Sequence, residues 1–226
     1  VNATFNSIDM TGVNAYKDGV ITKLHKGLQG LVKSRNITFI EGHGKLVAKD
    51  TIEVNGARYT GKNILLATGS YARTLPGLDI DGKKVITSDQ AMKMEYVPKS
   101  VIVLGGGVIG CEFASVWKSF GADVTIIEGL PHLVALEDES SSKQLERAYR
   151  KRGINFELGV RFKSHAVTAD GVTVTLEDGK TFTAEVLLVA VGRGPVSANL
   201  GYEEQGIAMD RGYVLVDNKC RTNVPG

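Results

Sequence analysis

The sequence predicts an α/β chain of the Rossmann-like class, on three observations. Val101-Ile-Val-Leu104, an apolar run of strand type, leads into Gly105-x-Gly107-x-x-Gly110, and a helical pattern opens at once. A second apolar run, Ala122 to Ile127, ends on the acidic Glu128. From Asn155 to Val191, short apolar segments separated by turn residues read as a meander of strands. Strand, glycine turn, helix, strand and terminal acid, in that order, make the βαβ unit that holds a dinucleotide.

The remaining elements follow in chain order. Val13, Tyr16, Val20, Ile21, Leu24, Leu28, Leu31 and Val32 recur at helical spacing, so a helix is expected to about Ser34, with Asn36 at its exit. Ile37-Thr-Phe-Ile40 reads as a short strand, and Gly42-His-Gly44 follows it. Lys45–Ala48, Thr51–Val54 and Arg58–Thr60 read as meander strands, with Asn55-Gly56 as the hairpin turn between the last two. Ile64 to Gly69 reads as a buried strand ending on small residues, and Pro76-Gly77 and Pro98 mark a linker. Beyond Glu128, Asp138–Arg152 is an acid-started, base-ended helix, as the helix dipole favours. Strands are expected at 155–158, 160–168, 172–176, 181–183 and 185–191, with Asp178-Gly179 as a hairpin and Gly192-Arg-Gly-Pro195 as the stop.

Within the motif each glycine has its own task. Gly105 permits the tight turn out of the strand, Gly107 lets backbone approach a pyrophosphate, and Gly110 lets helix pack closely on strand. The N–H groups that open the helix supply positive potential for phosphates. Taken alone the motif also fits a βαβ turn with no ligand. Glu128 can accept from an adenosine ribose and would repel a 2′-phosphate. No Arg or Lys follows it until Lys143. The expected nucleotide is therefore NAD rather than NADP.

Composition narrows the class further. A net charge of +2 over 226 residues, with no basic run, speaks against nucleic acid and membrane surfaces as partners. The apolar fraction of 42% is that of a globular protein, and no apolar run reaches the roughly 18 residues a membrane crossing needs. Val1 onward has no signal-peptide pattern. The 2 cysteines, Cys111 and Cys220, show no metal or redox spacing, and Cys111 reads as a small residue buried against the sheet. A reduced, cytoplasmic chain without a metal site is expected. None of His25, His43, His132 and His165 has a Ser, Cys or Asp partner at a catalytic spacing. The start on Val1 and the close on Arg221-Thr-Asn-Val-Pro-Gly226 read as a central fragment.

Several stretches carry a family resemblance. They are Gly42-His-Gly-Lys45, Ala67-Thr-Gly-Ser70 with Leu75-Pro-Gly77, Gly105 to Glu112, and Val116 to Glu128. Val191-Gly-Arg-Gly-Pro195 with Leu200-Gly201, and Arg221 to Gly226, complete the set. In order and spacing they resemble the flavin- and NAD-dependent pyridine nucleotide-disulfide oxidoreductases, in the dihydrolipoyl dehydrogenase branch, over essentially the whole chain. The resemblance implies a two-dinucleotide-binding (FAD/NAD) fold with a three-layer nucleotide domain and a β-meander crossover. It places a partial FAD-binding domain with linker at 1–98, an NAD-binding domain at 99–216 and a return segment at 217–226. FAD would meet Gly44, Thr68, Gly69 and Ser70. NAD would meet Gly105, Gly106, Gly107, Val108, Ile109, Gly110, Cys111, Glu112, Glu128, Phe162 and Gly192. Phe162 also fits a strand residue facing the core, and Glu112 a solvent-facing first-turn acid favoured by the dipole.

The family's redox cysteine pair, first FAD glycine motif, second FAD aspartate and His–Glu base pair have no match in these residues. No catalytic residue is therefore expected here, and the chain alone is expected to be inactive. The resemblance implies oxidation of dihydrolipoamide, carried on a lipoyl domain of a 2-oxo acid dehydrogenase complex, through FAD to NAD, in a homodimer. The alternatives are another flavoprotein reductase, transhydrogenase or NADH oxidase of the same fold, or a non-catalytic NAD(H)-binding module.

Overall fold

The computed structural model describes residues 6–226. It opens with helix α1 (Met10–Ser34), closed by Asn36 at φ 53°. Strands β1 (Gly44–Ala48), β2 (Thr51–Val54) and β3 (Ala57–Thr60) form an antiparallel meander. Asn55 and Gly56, at φ 53° and 80°, make the expected hairpin turn. Then come β4 (Ser70–Ala72), β5 (Val85–Ile86) and the single-turn helix α2 (Ser88–Ala91), whose Thr87 and Gln90 form a capping box.

The βαβ unit follows as β6 (Ser100–Leu104), α3 (Val108–Phe120) and β7 (Asp123–Glu128). Next are α4 (Glu139–Arg152), β8 (Asn155–Leu158), and the meander β9 (Phe162–Val167), β10 (Val172–Leu176) and β11 (Thr181–Ala184). The chain then returns through β12 (Val186–Val189) and ends in the short β13 (Arg193–Pro195), β14 (Met209–Asp210) and β15 (Tyr213–Val214).

Contacts group the chain into two compact units, one taking in the chain up to Gly19 with Ala72–Gly192, the other Val20–Tyr71 with Arg193–Gly226. The first unit is built on a parallel five-stranded sheet in the order β5-β12-β6-β7-β8. Its central strands are apolar at successive positions because both faces are covered. Val101 and Val103 face one core with Ala114 and Trp117 of α3 and Tyr149 of α4. Ile102 and Leu104 face another with Val172, Val174 and Leu176. Alternation along one strand thus sorts side chains into a helical layer and a meander layer, the predicted three layers. On β10 only alternate residues are fully buried, as befits a sheet with one covered face.

Helix α3 starts at Gly107 and stops at Gly121, which takes φ 101°. Helix α4 stops at Gly153, φ 72°, and carries Arg150, Lys151 and Arg152 in its last turn. The segment around residues 72–98, expected to be linker, supplies β5 to the large sheet through Leu187↔Val85 and Leu188↔Ile86. Residues 193–216, expected with the NAD domain, group with the second unit because Leu200, Tyr202 and Ile207 bury against Leu46.

Three expected features are corrected. Ile37–Ile40 is not a strand, because among the described residues no neighbouring strand completes a ladder with it, and Phe39 is 77% exposed. Ile64–Gly69 is likewise neither a strand nor buried. Its polar bonds go to Gly226 (Ile64 N to O, 2.6 Å) and Val196, and Leu65 is 87% exposed. Gly192–Pro195 does not simply stop the pattern, since β13 pairs with β4. Helix α1 buries no residue, and its stripe of Tyr16, Leu24, Leu28 and Leu31 is exposed.

Candidate functional site

In the first unit a cleft of about 630 Å³ opens at the carboxyl ends of β6, β7 and β12. Ligands bind at this end of open α/β sheets. Gly105, Gly107, Val108, Ile109, Glu128, Phe162 and Gly192 all line it. Backbone geometry accounts for the glycines one by one. Gly105 takes φ +109°, and a Cβ there would lie 2.4 Å from the Ala190 carbonyl oxygen. A Cβ on Gly110 would lie 1.9 Å from the Gly105 carbonyl oxygen, so the helix can approach the turn only without a side chain. A Cβ on Gly107 would meet nothing within 4 Å. Its open side faces solvent rather than protein. Gly107 also begins α3 with no side-chain cap, which leaves first-turn N–H groups free for an anion.

Gly106 has a role the spacing did not announce. Its N–H donates to Glu128 Oε2, its carbonyl accepts from Val134 N at 2.8 Å, and a Cβ on it would lie 2.6 Å from Leu133 Cδ2. Glu128 is held from a second side, because Oε1 accepts from Leu130 N at 2.7 Å. The carboxylate is therefore fixed at the tip of β7 by two backbone donors. A carboxylate has about four acceptor positions, so capacity remains for ribose hydroxyls.

Gly106, Gly110, Cys111 and Glu112 stand outside the cleft lining. Glu112 is exposed and lies with Val116 and Met92 on another surface. Cys111 is buried behind the turn, its thiol 3.3 Å from the Gly106 carbonyl. Burial, then the negative charge of Glu128, pushes that thiol up to about 11. It stays a thiol at neutral pH and is a poor nucleophile. Tyr149, which donates to the Cys111 carbonyl at 2.7 Å, is pushed up to about 12, chiefly by burial. Arg161, Glu137, Glu177 and the 95% exposed Leu136 also line the cleft, brought there by the fold rather than by closeness in sequence. Arg161 adds a cation that the stretch after Glu128 lacks, beside three carboxylates.

The second unit holds its own cleft of about 870 Å³ between residues 63–69 and 195–226. Thr68 and Gly69 line it, and a Cβ on Gly69 would be free of neighbours. Thr68 donates to the Val196 carbonyl and accepts from Tyr202 OH at 3.3 Å. Ser70 is held by Arg193, whose Nε donates to its hydroxyl at 2.7 Å and whose Nη2 donates to its carbonyl at 2.6 Å. Gly44 lies apart from this cleft on β1, opposite Val54. Among the described residues no group of His, Cys, Asp and Glu is arranged to hold a metal ion. Among them, too, no helix is long and apolar enough to cross a membrane.

The sequence pattern of the pyridine nucleotide-disulphide oxidoreductases matches residues 3–226. The chain belongs to that family. It is 40% identical over 228 residues to a dihydrolipoyl dehydrogenase of Cupriavidus necator, a match covering 97% of this chain and 48% of that protein. Among solved structures it resembles LpdA of Mycobacterium tuberculosis, with TM-score 0.88 and 28% identity over 97% of this chain and 50% of that one. It also resembles the HOCl-induced flavoprotein disulfide reductase RclA of Escherichia coli, with TM-score 0.84 and 28% identity over 96% of this chain and 51% of that one. The chain thus spans about half the length of the relatives it matches. Its two cysteines are both free, one buried and one exposed.

Proposed function

We propose that this chain is the nucleotide-handling part of an NAD-dependent dihydrolipoyl dehydrogenase. One observation carries the reading: Glu128, pinned by Gly106 and Leu130 N–H groups, stands beside the open N-terminus of α3 at Gly107. That pairing of a fixed ribose acceptor with an unobstructed phosphate cradle supports NAD over NADP. FAD and NAD, when bound, supply the hydride chemistry between them. The chain's own residues bind and orient. The first turn of α3 receives the pyrophosphate, Glu128 accepts from the ribose, and Phe162 and Gly192 line the same cleft. Thr68, Gly69 and Ser70 would hold part of FAD in the second unit, with Gly44 contributing from β1. On this reading the unit built around residues 99–192 is the NAD lobe, and Val20–Tyr71 with Arg193–Gly226 belongs to the FAD lobe.

The wider proposal is oxidation of dihydrolipoamide on a lipoyl domain of a 2-oxo acid dehydrogenase complex, by a cytoplasmic homodimer using a redox disulfide. The 40% identity to a named dihydrolipoyl dehydrogenase supports it. The likeness to RclA favours, as second reading, another flavoprotein disulfide reductase of the family. Titrating the chain with NADH and NADPH tests the nucleotide assignment. NADH should bind at least about tenfold tighter, the scale of one hydrogen bond to a charged group. Glu128→Arg should narrow or reverse the preference, and equal affinities for the unsubstituted chain would sink the assignment. Joining these residues to a relative's missing half and offering dihydrolipoamide against other disulfides separates the two enzyme readings.

A further inference from the structure

The buried face of α4 is polar. Its three buried residues are Ser142, Glu146 and Tyr149, at positions where an amphipathic helix ordinarily turns apolar side chains inward. All three bond to backbone around the glycine turn. Ser142 donates to the Val134 carbonyl at 3.3 Å, and Tyr149 donates to the Cys111 carbonyl at 2.7 Å. Glu146, 6% exposed, accepts from Leu133 N at 3.2 Å and lies 3.3 Å from His132 Nδ1. Its other oxygen is 3.8 Å from Arg150, one turn along the helix.

The segment so held presses on the motif. Leu133, fully buried, packs flat against Gly106, and Val134 N donates to the Gly106 carbonyl at 2.8 Å. Val134 sits at φ 45°, a left-handed conformation that a β-branched residue adopts only when its surroundings impose it. Buried polar groups cost stability unless satisfied, so a fully bonded polar face is a device for fixing geometry rather than for gaining burial.

We propose that Glu146 is a positioning residue of the nucleotide site, setting the Gly106–Gly107 peptide for an incoming pyrophosphate through segment 132–134. The proposal rests on the nucleotide reading above. Glu146 meets no ligand itself. It orders the segment whose Leu133 and Val134 fix the plane of the peptide that does.

Two variants separate reach from charge. Glu146→Gln keeps an oxygen within reach of Leu133 N and removes the charge. Glu146→Asp keeps the charge and withdraws the oxygen by one methylene. NADH affinity is measured by calorimetry, adenosine affinity by NMR titration, and the Gly107 amide, which shares a peptide with the Gly106 carbonyl, is followed in nitrogen-proton spectra without ligand. The Asp variant should weaken NADH about tenfold, the scale of one charge-assisted bond to phosphate, and move the Gly107 resonance. The Gln variant should rescue both, and adenosine, which has no phosphate, should bind all three forms alike. Unchanged NADH binding by the Asp variant overturns the proposal. So do equal losses in both variants, or loss of adenosine in step with NADH. Should the Asp variant fail to fold, Ser142→Ala carries the test, since alanine suits a helix. It should displace the same resonance and weaken NADH several-fold, and an unmoved resonance overturns the proposal. Absence of NADH binding by the unsubstituted chain would instead overturn the nucleotide reading, and this inference with it.

Discussion

Replacing Gly107 with alanine separates ligand from fold at a single atom. A Cβ there meets no protein atom within 4 Å, and the φ of −71° is ordinary for any residue. Stability should change by less than about 1 kcal/mol, a slightly poorer N-cap set against a less flexible unfolded chain. For a chain of this size that is a melting shift of no more than roughly 4 °C. The methyl instead occupies space a pyrophosphate needs to reach the first N–H groups of α3. Losing one charge-assisted bond costs about 1.5–3 kcal/mol, so NADH affinity should fall about 10- to 100-fold. Gly110→Ala is the control from the same motif. Its Cβ would lie 1.9 Å from a backbone oxygen that cannot rotate away. Overpacking of about 3 kcal/mol should lower its melting point by roughly 6–12 °C. Calorimetric titration with NADH and thermal melts of both variants decide the matter. If Gly107→Ala binds NADH like the unsubstituted chain, or melts as low as Gly110→Ala, the division between ligand-facing and packing glycines is wrong.

The other predictions concern thiols, alkali and turnover. At pH 8 iodoacetamide should label the exposed Cys220 and spare Cys111 in the folded chain, with both labelled in denaturant, as peptide mapping would read. Cys111 and Tyr149 hold their protons more tightly folded than unfolded. Stability should therefore be fully present below about pH 9 and fall as pH rises through about 11 for the thiol and about 12 for the phenol. Urea melts from pH 8 to 11 should show this fall, and Cys111→Ala should shallow it. Purified chain given FAD, NAD and dihydrolipoamide should show no turnover, because Cys111 is buried behind the turn and Cys220 has no partner thiol. Turnover abolished by Cys111→Ala would refute that.

The βαβ unit was legible because its signals are local. Apolar runs, glycine spacing and a terminal acid lie within one stretch of chain, and the structure adds only which face each side chain takes. Ile37–Ile40 and Ile64–Gly69 misled because a strand is a relation between segments, and composition cannot say that no neighbour arrives. Leu136 and Arg161 reach the cleft only through tertiary folding, so nothing in their surroundings marked them. Nothing in the acid-started, base-ended pattern of 138–152 singled out Ser142, Glu146 and Tyr149. Their burial became visible only once the segment before α4 was seen folded under it. The exposed stripe of α1 shows the converse: a helical period announces an apolar face without saying what covers it.

The second unit is discontinuous in sequence, and this has a consequence for how the polypeptide comes to be folded. Thr68 and Val196, hydrogen-bonded within that unit, stand 128 positions apart. Closing so long a loop from a disordered chain carries an entropic cost that local contacts avoid. Residues 72–192, the larger of the two stretches that make up the first unit, form one uninterrupted run with its own sheet and two cores. This stretch precedes Leu200 and Tyr202 in the chain, and its folding first would bring its flanking residues Ser70 and Arg193, hydrogen-bonded at 2.7 Å, together. Assembly should then run from the inserted block outward, so that a destabilised nucleotide lobe delays the other unit as well.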